Sequence, residues 1–201
     1  MAYINENHAV HGFTEPTQIS DFISVMQATY PRFVDGDWSN TNAANQYNID
    51  VYKNSMISFI TETMFIQDVV FLTEKIFKPI VMKQPFMLLG APGNLEYLRS
   101  YGFKTFDGII DESYDRKVNP DARVEAVVEQ LNWYCNLSDT EKLDVMRAVE
   151  PIVEYNFHHF YGEFKHIITK ELLDNCKDLF KKIGYDDSNI AYCDIYKTLV
   201  N

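Results

Sequence analysis

The stretch Phe71-Leu72-Thr73-Glu74-Lys75-Ile76-Phe77-Lys78-Pro79-Ile80-Val81, followed after a short gap by Pro85-Phe86-Met87-Leu88-Leu89-Gly90, decides how this chain folds. Thr73 is a favoured helix N-cap, because its hydroxyl can accept a hydrogen bond from a free N–H of the first turn. Ile76, Phe77, Ile80 and Val81 share one apolar face, so the spacing predicts a helix from Glu74 onward, bent or weakened by Pro79. Residues 86–89 are uninterruptedly apolar and are closed by the turn Pro92-Gly93. Such a run suits a strand buried in a parallel sheet.

Upstream, Met56-Ile57-Ser58-Phe59-Ile60-Thr61-Glu62 is short, β-branched and aromatic between polar flanks, and predicts another buried strand. Downstream, Leu95 and Leu98 mark a helix stopped by Gly102, and Lys104-Thr105-Phe106 is expected as a third, very short strand. Strand, helix, strand, helix, strand is the order of a parallel sheet with crossover helices. Before it, Ile19, Phe22, Ile23, Met26 and Tyr30 predict a helix opened by Pro16 and closed by Pro31, then a polar loop over 33–48 and a short helix over 48–53. After it, everything reads as helical. Asn119-Pro120 opens one helix, with Val124, Val127, Val128, Leu131 and Tyr134 on one face. Ser138-Asp139-Thr140-Glu141 has capping-box spacing and opens another through Leu143, Met146, Val149 and Ile152, with a kink expected at Pro151. Residues 167–183, ending at Gly184, form the last. The expected fold class is α/β: a single Rossmann-like three-layer domain with a short parallel sheet and a helical C-terminal third. Residues 1–54 are its helix-and-loop lead, 55–118 its core and 119–201 the helical segment packed on that core.

The chain has 201 residues, enough for one substantial core, and 46% of them are hydrophobic, which fits a packed globular protein. Its 18 basic and 29 acidic residues give a net charge of −11. That excludes a general nucleic-acid role, since phosphate backbones demand a positive footprint, but it leaves room for a local basic pocket. Cys135, Cys176 and Cys193 are odd in number and form no CxxC pair, so they read as reduced thiols of a cytosol-like compartment. Residues 1–14 contain no long apolar run, so neither a secretory signal nor a membrane association is expected. Asn136-Leu137-Ser138, although a glycosylation pattern, is not expected to be modified.

At the start of a helix beside the carboxyl edge of a parallel sheet, free N–H groups and the helix dipole attract an anion. Lys75 there adds a full positive charge for a diphosphate, and Glu74 can accept hydrogen bonds from a ribose diol. The same spacing also fits a Glu74 that merely stabilises the helix start beside a solvated Lys75.

Thr73-Glu74-Lys75, its apolar helix and the following strand resemble the donor-binding motif of family 10 fucosyltransferases and related glycosyltransferases with two Rossmann-like domains. Phage-encoded glycosyltransferase-like proteins are similar over residues 55–123, through Pro92-Gly93, Tyr97-Leu98-Arg99, Gly102-Phe103-Lys104-Thr105-Phe106 and Asp111-Glu112-Ser113-Tyr114-Asp115. The resemblance implies a nucleotide-diphosphate-sugar donor, with Glu74 on the ribose and Lys75 on the diphosphate beside Thr73, and no metal or further cofactor. Glu62, at the end of the preceding strand, is a further donor-site candidate. A complete enzyme of this kind has an upstream Rossmann-like domain that holds the acceptor and supplies the base. Residues 1–54 have no space for it, so no catalytic residue is assigned. A homo-oligomer or a partner protein would supply the missing domain, in a host cytoplasm or a virion. Two functions follow: nucleotide-sugar binding with transfer completed by a partner domain, or an inactive structural or interaction protein that keeps the half-fold.

Three further groups are candidates for chemistry. Asp111, Glu112 and Asp115 could hold a hard cation, or simply form a polar loop on the cleft rim. His159, Glu163 and His166 fall at steps of four and three and could share a helix face as metal ligands, or be solvated or interface residues. Tyr155, Phe157, Phe160, Tyr161 and Phe164 read as core or as an oligomer contact.

Overall fold

The computed structural model describes residues 49–66 and 69–184. The helix expected over 19–30, the loop over 33–48 and Cys193 lie outside them. The described chain is mixed α/β and mostly helical. Helix α1 (Ile49–Lys53) leads into β1 (Ser58–Thr61), α2 (Glu74–Val81) and β2 (Phe86–Leu89). The two strands are parallel, in register from Ser58 opposite Phe86 to Thr61 opposite Leu89. Helix α3 (Asn94–Ser100) and a 3₁₀ turn (Ser113–Arg116) precede α4 (Pro120–Asn136) and α5 (Asp139–His159). A π turn (Phe160–Phe164) then joins α5 to α6 (Lys165–Lys182).

β2 is buried at every position, as its apolar run requires. β1 differs from the expected buried strand: burial alternates along it, and Phe59 is 43% exposed. That alternation shows that only one of its faces meets the core, and β2 is its one strand partner among the described residues. Ile76 and Ile80 of α2 pack with Met87 and Leu88 of β2, Leu95 and Leu98 of α3, and Phe106 and Val127 in one core. Pro79 is itself buried within α2. The helix closes at Lys83, whose φ of 52° is left-handed, with Gln84 N–H bonded to Pro79 O and Lys83 N–H to Ile80 O.

The third strand expected at residues 104–106 is not formed. Lys104 instead bonds to a side chain: Asn156 of α5 accepts from Lys104 N and donates to Lys104 O, both at 2.8 Å. Phe106 N donates to the Glu112 carboxylate at 2.7 Å. With these backbone groups satisfied by an amide and a carboxylate, the segment needs no strand neighbour. Asn156→Ala is expected to lower stability by about 1–2 kcal/mol through the two lost bonds, with faster amide exchange at Lys104 in an exchange experiment.

The helix starts follow the sequence closely. Asn119 accepts from Ala122 N at 2.9 Å, and Ser138 and Glu141 form the reciprocal capping box. The faces follow it less closely. Arg123, Val127 and Tyr134 are the buried residues of α4, whereas Val128 is exposed; Leu143 of α5 is exposed as well. The last two helices are one continuous helical run from Asp139 to Lys182 that carries on past Pro151. Its π turn widens the spiral and brings Phe160 and Phe164 to the same side, with ring centroids 5.4 and 5.2 Å from Phe77. Phe164 also packs 4.9 Å from Phe103. Phe160 and Phe164 are partly buried and pack against the core, while Tyr155 and Tyr161 remain exposed.

Candidate functional site

The first turn of α2 is built from β1 outward. Glu62 N–H donates to Leu89 O at 2.8 Å, so the residue after β1 still pairs with β2 and its side chain lies at the carboxyl edge of the sheet. The Glu62 carboxylate, buried, accepts from Thr73 N at 3.0 Å and from Thr73 Oγ1 at 2.7 Å. Thr73 Oγ1 in turn accepts from Lys75 N at 3.3 Å, which is the N-cap bond. Lys75 Nζ donates to Thr63 Oγ1 at 3.0 Å and stands 4.0 Å from Glu62 Oε2. Thr73, Lys75 and Glu62 therefore form one connected group. Lys75 keeps 39% of its side chain accessible, and Glu74 is exposed at the same turn. The oxygens of Glu62 are engaged inside the protein, where they form a buttress under Thr73 and beside Lys75.

A second lock holds the loop before Thr73. Asn94, fully buried, accepts from Phe71 N at 3.4 Å and donates to Phe71 O at 3.2 Å. Gly90 makes this possible, since a Cβ there would lie 2.0 Å from Asn94 Nδ2. Sequence reasoning missed Asn94, because its partner Phe71 lies 23 positions earlier and no local spacing links the two.

The three carboxylates of the 111–115 loop have three separate structural tasks. Asp115 accepts from Leu95 N at 3.0 Å and Glu96 N at 3.4 Å, capping α3 from outside because Gly93 (φ 87°) has no side chain to do it. Glu112 accepts from Thr105 Oγ1 at 2.7 Å and from Arg99 Nη1 at 3.1 Å. Asp111 accepts from Ser113 N at 2.9 Å, and that bond holds its pKa below the ordinary 3.8. Burial pushes Glu112 and Asp115 above their ordinary 4.5 and 3.8, against the hydrogen bonds they accept. A raised carboxylate binds its proton more tightly in the folded chain, so these two groups make the fold more stable as pH falls from their folded values toward 4.5 and 3.8. Glu112→Gln is expected to flatten that part of the stability–pH curve, read by urea unfolding at a series of pH values.

His159, Glu163 and His166 do not form a common face, because the π turn changes the helical phase between them. His159 Nε2 lies 2.7 Å from Tyr101 O, and the ring stacks on Tyr155 and meets Phe103 edge-on. Among the described residues, no three His, Cys, Asp or Glu side chains come together as a metal-holding group. An aromatic groove of about 360 Å³ lies between α2, α3 and the start of α6, walled by Phe77, Tyr97, Tyr101 and Phe164.

The fold and site thus define a mixed α/β protein with a parallel strand–helix–strand unit and a threonine-capped helix bearing an accessible lysine. No protein-family model, curated protein or solved structure matches the chain. Among the described residues no helix is long and apolar enough to cross a membrane.

Proposed function

We propose that the chain binds a nucleotide-diphosphate sugar in a Rossmann-like, glycosyltransferase-like half-site at the start of α2, with Lys75 on the diphosphate and Glu74 on the ribose. The observation that carries this reading is the buried Glu62 carboxylate, which fixes Thr73 and stands behind Lys75 while leaving the lysine and Glu74 facing solvent. A rigid first turn with an accessible cation and an exposed carboxylate is the arrangement a diphosphate and a ribose diol require. Transfer would need an acceptor and a base from another domain or chain. Glu74→Ala is expected to leave unfolding within about 0.5 kcal/mol of the parent, as exposed substitutions do, and Lys75→Ala to cost about 1 kcal/mol, since it removes the bond to Thr63 Oγ1 and the cation beside the buried Glu62. Each is expected to weaken binding of the donor roughly tenfold in calorimetry. Unchanged affinity in both would overturn the assignment.

A second reading, a scaffold or interaction protein, is favoured by Asp115: the chain's own carboxylate fills the start of α3, which follows β2. Phe160 is packed against Phe77 and so is unsuited to test a surface role. Tyr155 stacks on His159 and donates to Gly102 O, so it is unsuited as well, and the more exposed Tyr161 is the suitable position. Biological function that survives Lys75→Ala but fails in Tyr161→Ser would establish the scaffold reading.

A further inference from the structure

The aromatic groove between α2, α3 and the start of α6 has a volume of about 360 Å³, the size of a small-ligand site, and none of its lining residues carries a charge. Its rings form walls rather than a stack. Tyr101 stands at 90° to Phe164, with centroids 5.8 Å apart, and at 77° to Tyr97, 5.1 Å away. Phe164 is fixed by Phe77 and Phe103, at 5.2 and 4.9 Å.

The polar edge of the groove has a definite sense. Tyr101 OH lies 2.9 Å from Glu171 Oε2, and a carboxylate only accepts, so the Tyr101 proton points to Glu171. Tyr97 OH, 2.9 Å from Tyr101 OH, is then the donor of that pair. Both hydroxyl protons run along one chain that ends at Glu171, and the two oxygens have only lone pairs left to offer. The result is a negative edge with no free donor for an anion. The ring faces carry the same sign, through the aromatic quadrupole. Elsewhere in the fold the chain's own lysines cover such faces: Lys83 lies 4.5 Å from the Phe157 ring and Lys104 4.1 Å from the Tyr155 ring. Among the described residues, no lysine or arginine stands over Phe77, Tyr97, Tyr101 or Phe164.

We propose that this groove is a cage for a small quaternary ammonium ligand of the choline type, with its methyl groups on the rings and its charge toward the hydroxyl chain backed by Glu171. Such an ion has no N–H and needs no acceptor in a fixed direction; it needs apolar contact with negative potential behind it. Leu72 and Ile168 extend the apolar lining beside the rings. A primary ammonium, strongly hydrated and with three donors to satisfy, suits these walls less. The net charge of −11 favours the approach of any cation. Neither Lys75 nor Glu74 takes part, so this site stands apart from the nucleotide-sugar reading.

Choline chloride titrated into the full chain, with sodium chloride exchanged to hold the ionic strength, is expected to shift the ring resonances of Tyr97, Tyr101 and Phe164 saturably. The neutral isostere, in which tert-butyl replaces trimethylammonium, should bind about tenfold more weakly. Glu171→Gln, an exposed change that keeps an acceptor for Tyr101, should weaken choline about threefold and leave the isostere unchanged. Equal affinity for choline and its isostere would make the groove a merely apolar crevice and overturn the cage, as would ring resonances that do not move. Choline affinity unchanged in Glu171→Gln also overturns it, because the carboxylate is then not felt. Shifts confined to the amides of residues 74–76 would place the cation at Glu74 and overturn it equally.

Discussion

Gly102→Ala is expected to destabilise the protein by about 3 kcal/mol, which for a chain of this size lowers Tm by roughly 6–12 °C. Gly102 sits at φ 90°, just after the end of α3, a conformation that costs an L-residue about 1–2 kcal/mol. A Cβ there would also stand 2.7 Å from His159 Cε1 and 2.8 Å from Nε2. The imidazole cannot simply retreat, because it is bonded to Tyr101 O and held between Tyr155 and Phe103. Forcing it aside adds an overpacking cost of about 1–3 kcal/mol. The steric part of the loss is relieved in Gly102→Ala/His159→Ala, so the double variant should be more stable than the two single costs predict. Additive losses in thermal melts would show that the His159 contact is not what makes Gly102 necessary.

Glu62→Ala is expected to cost about 3–4 kcal/mol. It leaves Thr73 N–H and Oγ1 without their buried acceptor, and hydrogen bonds to a charged group contribute about 1.5–3 kcal/mol each before coupling is counted. The N-cap of α2 loosens with it, because Thr73 is both cap and partner of Glu62. Amide exchange at residues 73–75 should accelerate more than at Leu88, in the centre of the sheet. A uniform acceleration across the core would mean that Glu62 stabilises the fold generally and does not buttress this turn in particular.

The contrast between these two positions shows what could be read from the chain. The end of α3 at Gly102 and the caps at Thr73, Asn119 and Ser138 are local: donor, acceptor and turn residue lie within a few positions of one another. β2 could be located for a related reason, since the four-residue apolar run Phe86–Leu89 between turn signals suits a buried strand. The third strand failed because its backbone partner, Asn156, lies 52 positions along the chain, beyond any spacing rule. The π turn was equally hidden, and it undid the His159, Glu163 and His166 face by altering the period on which that face depended. Val128 and Leu143 satisfy the helical period and are still exposed, because periodicity does not say how wide the covering element is. Of the site, Thr73 is the N-cap its position predicts, whereas the bond of Lys75 to Thr63 Oγ1, 12 positions away, had no local signal. Glu62 was found as a neighbour, but its orientation into the protein, toward Thr73, comes from the pairing of Glu62 N with Leu89 O. The burial of Arg123 in the core gave no signal, since an arginine in the first turn of a helix is ordinarily solvated.

The central claim is that the start of α2 receives the diphosphate of a nucleotide sugar. Titration calorimetry of the unmodified protein against GDP-, UDP- and ADP-sugars tests it most directly. Saturable one-to-one binding of at least one donor, competed by its nucleoside diphosphate, is the predicted result; no heat from any of them at millimolar concentration would contradict it.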